Sequence, residues 1–227
     1  MRFVEALKTS RAVLACAMLL TGWFGAQAQD APSVLGDVAD QPGLARVLLI
    51  GDSISIGYTA PVRELLRGIA NVHRIPENGG PTSNGIAKLD QWLGKGHWDV
   101  IHFNFGLHDL KIMGGGRHQV PLAEYEANLR KIATRLKSTG ATLIWATTTP
   151  VPDAPESRLN PPRRAEDVAR YNAAARAIME ENGIVIDDLY TLILPRLAGL
   201  QLPANVHFTE AGYAVLARQV ADSVGNR

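Results

Sequence analysis

The stretch Arg46-Val47-Leu48-Leu49-Ile50-Gly51-Asp52-Ser53 decides the fold. Four consecutive apolar residues stopped by a glycine read as a strand buried on both faces, as in a parallel sheet covered by helices. An acidic residue and a serine follow at once, so a hydroxyl stands at the carboxyl end of that strand. In open α/β sheets this edge carries the active site.

Outward from this strand (46–51), helical and strand patterns alternate. Residues 61–70 carry apolar positions at helical spacing (Val62, Leu65, Leu66, Ile69). A short strand fits 72–75, a helix 83–93 and a strand 99–105. A helix follows over 122–137, a strand over 141–147 and a helix over 165–182, stopped before the C-cap residue Gly183. A fifth strand fits 184–186, and a last helix covers 209–223 with Thr209 as its N-cap. Strict alternation predicts a three-layer α/β/α sandwich around a flavodoxin-like, parallel, five-stranded sheet. The order 2-1-3-4-5 is expected, since it sets a switch point beside the first strand, which leads into Ser53.

The chain has 227 residues, 46% hydrophobic and 20% charged, which suits one domain over 45–227. Residues 1–28 read as a secretory signal peptide: Arg2, Lys8 and Arg11 make a basic start, 12–24 is an apolar run too short to span a bilayer, and Ala26-Gln27-Ala28 fits a cleavage site. Residues 29–44 read as a mobile lead-in. The single cysteine, Cys16, lies in the removed segment, so the mature chain is expected without disulfides, secreted or periplasmic, and without stable membrane insertion. Removal of Arg2, Glu5, Lys8 and Arg11 takes the net charge from +1 to −1. That balance gives no footprint for a nucleic-acid partner.

The chemistry-bearing segments all follow strands or lead a helix: Gly51-Asp52-Ser53-Ile54, Asn78-Gly79-Gly80-Pro81-Thr82-Ser83, Gly106-Leu107-His108-Asp109 and Val206-His207-Phe208-Thr209. They are distant in sequence, and only the topology brings them together. Four such blocks in this order resemble the SGNH, or GDSL-type, serine hydrolases, and the resemblance runs from about residue 46 onward.

The resemblance implies a carboxylic ester hydrolase working through an acyl-enzyme on Ser53, with His207 as general base, and the signal-peptide pattern makes it a secreted one. The oxyanion donors it implies are the Ser53 and Gly80 backbone N–H groups and residue 108. The implied substrate is an ester of a small molecule or glycan, with short acyl groups such as O-acetyl favoured, and no cofactor. Two positions depart from the pattern. His108 stands where the family carries Asn; a neutral imidazole replaces that donor if the correct nitrogen is protonated, whereas an imidazolium donates more strongly and adds a pH dependence at about 6.5, and both forms stay open. The family's last block reads D-x-x-H, but here Ala204 stands three before His207 and Asn205 two before it.

Three readings of the second departure stand open. Asn205 or a backbone carbonyl orients the ring in a Ser–His dyad; Asp187 or Asp188 supplies the carboxylate; or catalysis is weak or lost, leaving a glycan-binding cleft. An acyltransferase using the same site is a further alternative. Asp52, Asn104, Asp109 and Thr148 are candidates for loop or substrate support. His102 and Asn104 share one face of a buried strand and need partners. The histidines show no metal-ligand spacing, so no metal site is expected. Gly114-Gly115-Gly116 lack a Walker lysine and read as a flexible flap. Arg117, His118, Arg158, Arg163 and Arg164 stand in this flap or in the loop after the fourth strand, as substrate contacts or a solvated face.

Overall fold

In the computed structural model, residues 34–36, 38–152 and 159–226 are described. The expected signal peptide, the first residues of the lead-in and Arg158 lie outside them. Five parallel strands form one sheet in the order β2-β1-β3-β4-β5: β1 Ala45–Ile50, β2 Ala70–Arg74, β3 Val100–Phe103, β4 Thr142–Ala146 and β5 Val185–Asp187. This is the expected architecture and strand order. Val47 to Ile50 are all buried, as a central strand covered on both faces requires.

Helices α1 (Ser53–Leu65) and α7 (Glu210–Gly225) pack together, with α5 (Leu189–Ile193) against α7. Helix α2 (Thr82–Leu93) packs on α3 (Leu122–Lys137), and α3 on α4 (Ala165–Glu181). Leu129, Ile132 and Leu136 of α3 and Val168, Tyr171, Ala175 and Ile178 of α4 are buried, which is the helical stripe written in their sequence. A 3₁₀ turn (Leu194–Arg196) and a kinked turn, α6 (Leu197–Leu200), join α5 to the loop before α7.

Two expectations about the local structure change. The first helix begins at Ser53, not near residue 61, and Pro61 lies inside it. The Asp52 side chain caps the new start by accepting the Ile54 N–H at 2.9 Å. Packing of α1 on α7 carries the helix through the proline; a Cβ on Gly57 would stand 2.2 Å from the Tyr213 ring. The triglycine segment is a turn rather than a loose flap. Ile112 and His118 form an antiparallel bridge, Met113 N–H donates to Arg117 O (2.8 Å), and Ile112 N–H donates to Pro162 O (2.9 Å). His118 Nε2 meets the buried Asp167 carboxylate at 2.8 Å and ties this hairpin to α4.

Candidate active site

Strand β1 ends at Ile50, and the chain turns directly into α1 with Ser53 as the first helical residue. The Ser53 N–H therefore has no acceptor within the helix and stands at the positive end of its dipole. A buried cation holds this turn. The Arg74 guanidinium, at the end of β2, donates to Gly51 O (2.9 Å), Asp52 O (3.1 Å) and Ser55 Oγ (2.6 Å), and on its other side to Ile75 O and Glu77 O. Burial pulls Arg74 down to about 10, so it is still charged at neutral pH. The sequence carried a weak signal for this residue: a cation closing an otherwise buried strand.

The loop before α7 brings His207 to Ser53 across 154 residues of chain, with Nε2 at 2.9 Å from Oγ. On the other side of the ring, Asn205 Oδ1 accepts two hydrogen bonds, from His207 Nδ1 (2.8 Å) and from the His207 backbone N–H (3.1 Å). A backbone N–H can only donate, so the atom facing it is the amide oxygen and not the amide nitrogen. The same oxygen must then accept from Nδ1, and the proton sits there. Nε2 is left with a lone pair toward the Ser53 hydroxyl. Ala204, at the family's usual Asp position, has φ 53°, in the left-handed region that alanine rarely enters. That turn sets residue 205, rather than 204, against the imidazole.

Neither Asp187 nor Asp188 is brought to His207, whose two ring nitrogens already face Ser53 and Asn205. Asp187 is buried at the end of β5, where its Oδ2 meets His102 Nε2 at 3.0 Å and its Oδ1 accepts from Gln219 at 2.8 Å. Asp188 caps α5 through Thr191 N–H and bonds Thr147 and Arg176. His102 thus finds the partner its buried position demanded.

The second and third blocks flank the same edge. Gly80 has φ +66°, which glycine adopts without strain. Its N–H is not free, however: it donates to Asn78 Oδ1 at 2.9 Å in a tight side-chain turn. Gly79 N–H closes the loop onto Gly51 O at 2.9 Å. At the third block, Gly106 has φ +146°, and a Cβ there would stand 2.3 Å from Thr148 Oγ1. Two residues on, His108 Nδ1 lies 2.9 Å from Lys111 Nζ. Burial pushes the His108 imidazole down to about 4; Asp52 pulls the other way, and Lys111, Arg163 and His207 add to the lowering. His108 is therefore neutral at physiological pH and stands within electrostatic reach of both Asp52 and His207.

The remaining candidates hold loops. Asp109 Oδ1 accepts from both the backbone and the hydroxyl of Thr82, tying the third block to the start of α2. Burial drives its carboxyl up to about 7. Asn104 donates to Ala146 O at 2.7 Å, while Thr148 pairs in both directions with Asn172. Asp52, Asn104, Leu107 and Thr148 line a small cavity of about 10 Å³ beside the turn that carries Ser53. Arg163, buried, donates to Leu107 O at 2.8 Å and so braces the loop that carries His108. Arg164 is exposed.

Residues 49–215 match the GDSL-like lipase/acylhydrolase family. No curated protein matches the chain in sequence. Among solved structures, the fold resembles a lipase/acylhydrolase from Enterococcus faecalis (TM-score 0.69, 19% identity, covering 81% of this chain and 97% of the other). It also resembles the acetyl xylan esterase AlAXEase (TM-score 0.66, 16% identity, 79% of this chain and 99% of the other). Axe2, an acetylxylan esterase from Geobacillus stearothermophilus, is similar as well (TM-score 0.65, 21% identity, 80% of this chain and 94% of the other).

Proposed function

Because the chain belongs to the GDSL-like lipase/acylhydrolase family, a class of carboxylic ester hydrolases, we propose that it is an exported serine esterase acting on short acyl esters through Ser53. The observation that carries this reading is the 2.9 Å contact of Ser53 Oγ with His207 Nε2, on a ring whose other nitrogen is held by Asn205. His207 Nε2 takes the hydroxyl proton as Ser53 Oγ adds to the ester carbonyl. The developing oxyanion is met by the Ser53 N–H and by the Gly80 N–H, which turns from Asn78 to the charged oxygen. His108 supplies the third donor. Each donor contributes about 3 kcal/mol in the transition state. His207 then protonates the leaving alkoxide, the acyl group stays on Ser53, and a water activated by the same imidazole releases it.

Asn205 performs half of a triad aspartate's work. It fixes the tautomer and orientation of His207 but brings no negative charge to the imidazolium. An amide in this position is damaging when its nitrogen faces the ring and forces the wrong tautomer, at a cost of about 10⁴ in rate. The backbone N–H of His207 supports the opposite orientation here. The reading is thus of an active but modest hydrolase. The acetyl esters named for two structural relatives, and the polar groups around the third block, favour a short acyl group on a glycan.

A fluorophosphonate probe is expected to label the wild-type protein at Ser53. Ser53→Ala is expected to abolish both labelling and hydrolysis of p-nitrophenyl acetate, a loss of at least about 10⁴ in kcat. A wild-type protein that neither labels nor turns over the ester, yet binds a glycan, overturns the reading in favour of a binding protein. Acyl transfer to an added sugar in excess of hydrolysis makes it a transferase.

A further inference from the structure

The geometry points to Lys111 as the residue that makes His108 a hydrogen-bond donor: its ammonium occupies Nδ1 and so fixes the ring proton on Nε2. This rests on the esterase reading above and deepens it. An ammonium has three protons and no lone pair, so at 2.9 Å it can only donate. A neutral imidazole that accepts at Nδ1 must carry its proton at Nε2. An asparagine has a donor whatever its surroundings. A histidine in the same place has one only in the right tautomer, and Lys111 supplies that condition.

Lys111 is itself held. Its N–H reaches His108 O at 3.3 Å, and its own carbonyl accepts from Gln119 N–H at 2.7 Å. Gln119 closes the Ile112–His118 hairpin, which the Pro162 carbonyl and Asp167 pin to the body of the protein. Arg163 fixes the neighbouring Leu107 carbonyl at 2.8 Å. The hairpin therefore belongs to the site as a rigid mount for a lysine, rather than as a cover. Lys111 is a positioning residue: it acts on the reacting oxygen only through His108.

The test uses ¹⁵N NMR of the imidazole nitrogens and p-nitrophenyl acetate kinetics on the full chain. In the wild type at neutral pH, His108 is expected as the pure Nε2–H tautomer. Lys111→Met is expected to introduce a visible Nδ1–H fraction and to lower kcat about tenfold, with KM changed less than twofold. Lys111→Arg, which keeps a cationic donor, is expected to restore both. In a His108→Asn background the cost of Lys111→Met should shrink to within about twofold, because an amide needs no tautomer lock.

A wild-type His108 protonated at Nδ1 overturns the proposal, as does a Lys111→Met enzyme with unchanged kcat. A tenfold loss that persists in the His108→Asn background also overturns it and makes Lys111 a support of the hairpin alone. Backbone amide shifts of residues 112–118 report that support independently. The tautomer measurement needs no turnover. A protein with the Nε2–H tautomer but no esterase activity therefore fails the esterase reading and not this one.

Discussion

His102 and His207 make a contrast: a carboxylate faces the ring set away from Ser53, and a neutral amide faces the ring beside it. His102, in the middle of β3 and fully buried, has Asp187 at 3.0 Å. His207, half-buried at the sheet edge, has the neutral amide of Asn205 at 2.8 Å. The difference teaches what each partner is for. Inside the sheet, a polar ring must be satisfied or it costs the fold, and Asp187 is locked by His102 and Gln219 together. At the edge, the general-base role proposed for His207 needs an orientation and a tautomer, and one well-aimed amide oxygen supplies both. What the amide omits is the charge that would stabilise the imidazolium.

Substitutions that move the carboxylate test this comparison, and the largest effect is on folding. Asp187→Ala leaves both nitrogens of buried His102 without a partner among the described residues, since Nδ1 already has none. It is expected to cost about 3–5 kcal/mol in denaturant unfolding. The specific activity of the molecules that fold should be unchanged. A variant that is stable but inactive would place Asp187 in the catalytic apparatus and break the contrast.

A second carboxylate, Asp109, extends the comparison to pH. Its folded pKa is raised from an ordinary value near 3.8 to about 7 by burial. The folded protein therefore holds this proton more tightly than the unfolded chain. Its contribution is fully present below about pH 4 and is lost as pH rises toward and through 7, by no more than about 4 kcal/mol. Unfolding midpoints measured across this range should slope downward in the wild type. In Asp109→Asn that component should vanish; a slope of equal size in the variant assigns it to another group.

At the site itself, Asn205→Ala removes the orienting oxygen and is expected to lower kcat about 10² for p-nitrophenyl acetate. Asn205→Asp adds the missing charge and is expected to raise kcat about tenfold at neutral pH. If Asp at 205 gives no gain, charge on the imidazolium does not limit this enzyme. The smallest effect concerns the turn that makes residue 205 the partner. Ala204→Gly removes the left-handed strain at φ 53° and should stabilise the protein by about 1 kcal/mol in thermal unfolding, with activity intact.

The layered fold was legible in the sequence because each element wrote its own period. The run Val47–Ile50 marked a buried strand, and the stripe of α3 marked a covered helix. The start of α1 was not, because Pro61 imitates a helix start, and only the capping by Asp52 and the packing against α7 move the boundary to Ser53. The short helices between β5 and α7 have no periodic stripe to read. At the site, Ser53, His207 and Asn205 were legible as candidates. Arg74 and Lys111 were not singled out, because a lone cation in a sequence looks like a solvated surface residue until its acceptors are known.

By itself, then, the sequence determined the alternation of strands and helices, the order of the four blocks and the absence of a carboxylate three residues before His207. Those features are local, written in neighbouring side chains and their spacing. Only the tertiary structure decided which groups face which nitrogens. Asn205 turns its oxygen to His207 because a backbone N–H of the same loop demands an acceptor. Asp187 stays with His102 because a buried ring cannot be left bare. His108 has its proton on Nε2 because a hairpin holds an ammonium against Nδ1. Each of these outcomes depends on a hydrogen-bond direction, and direction exists only once the chain is folded.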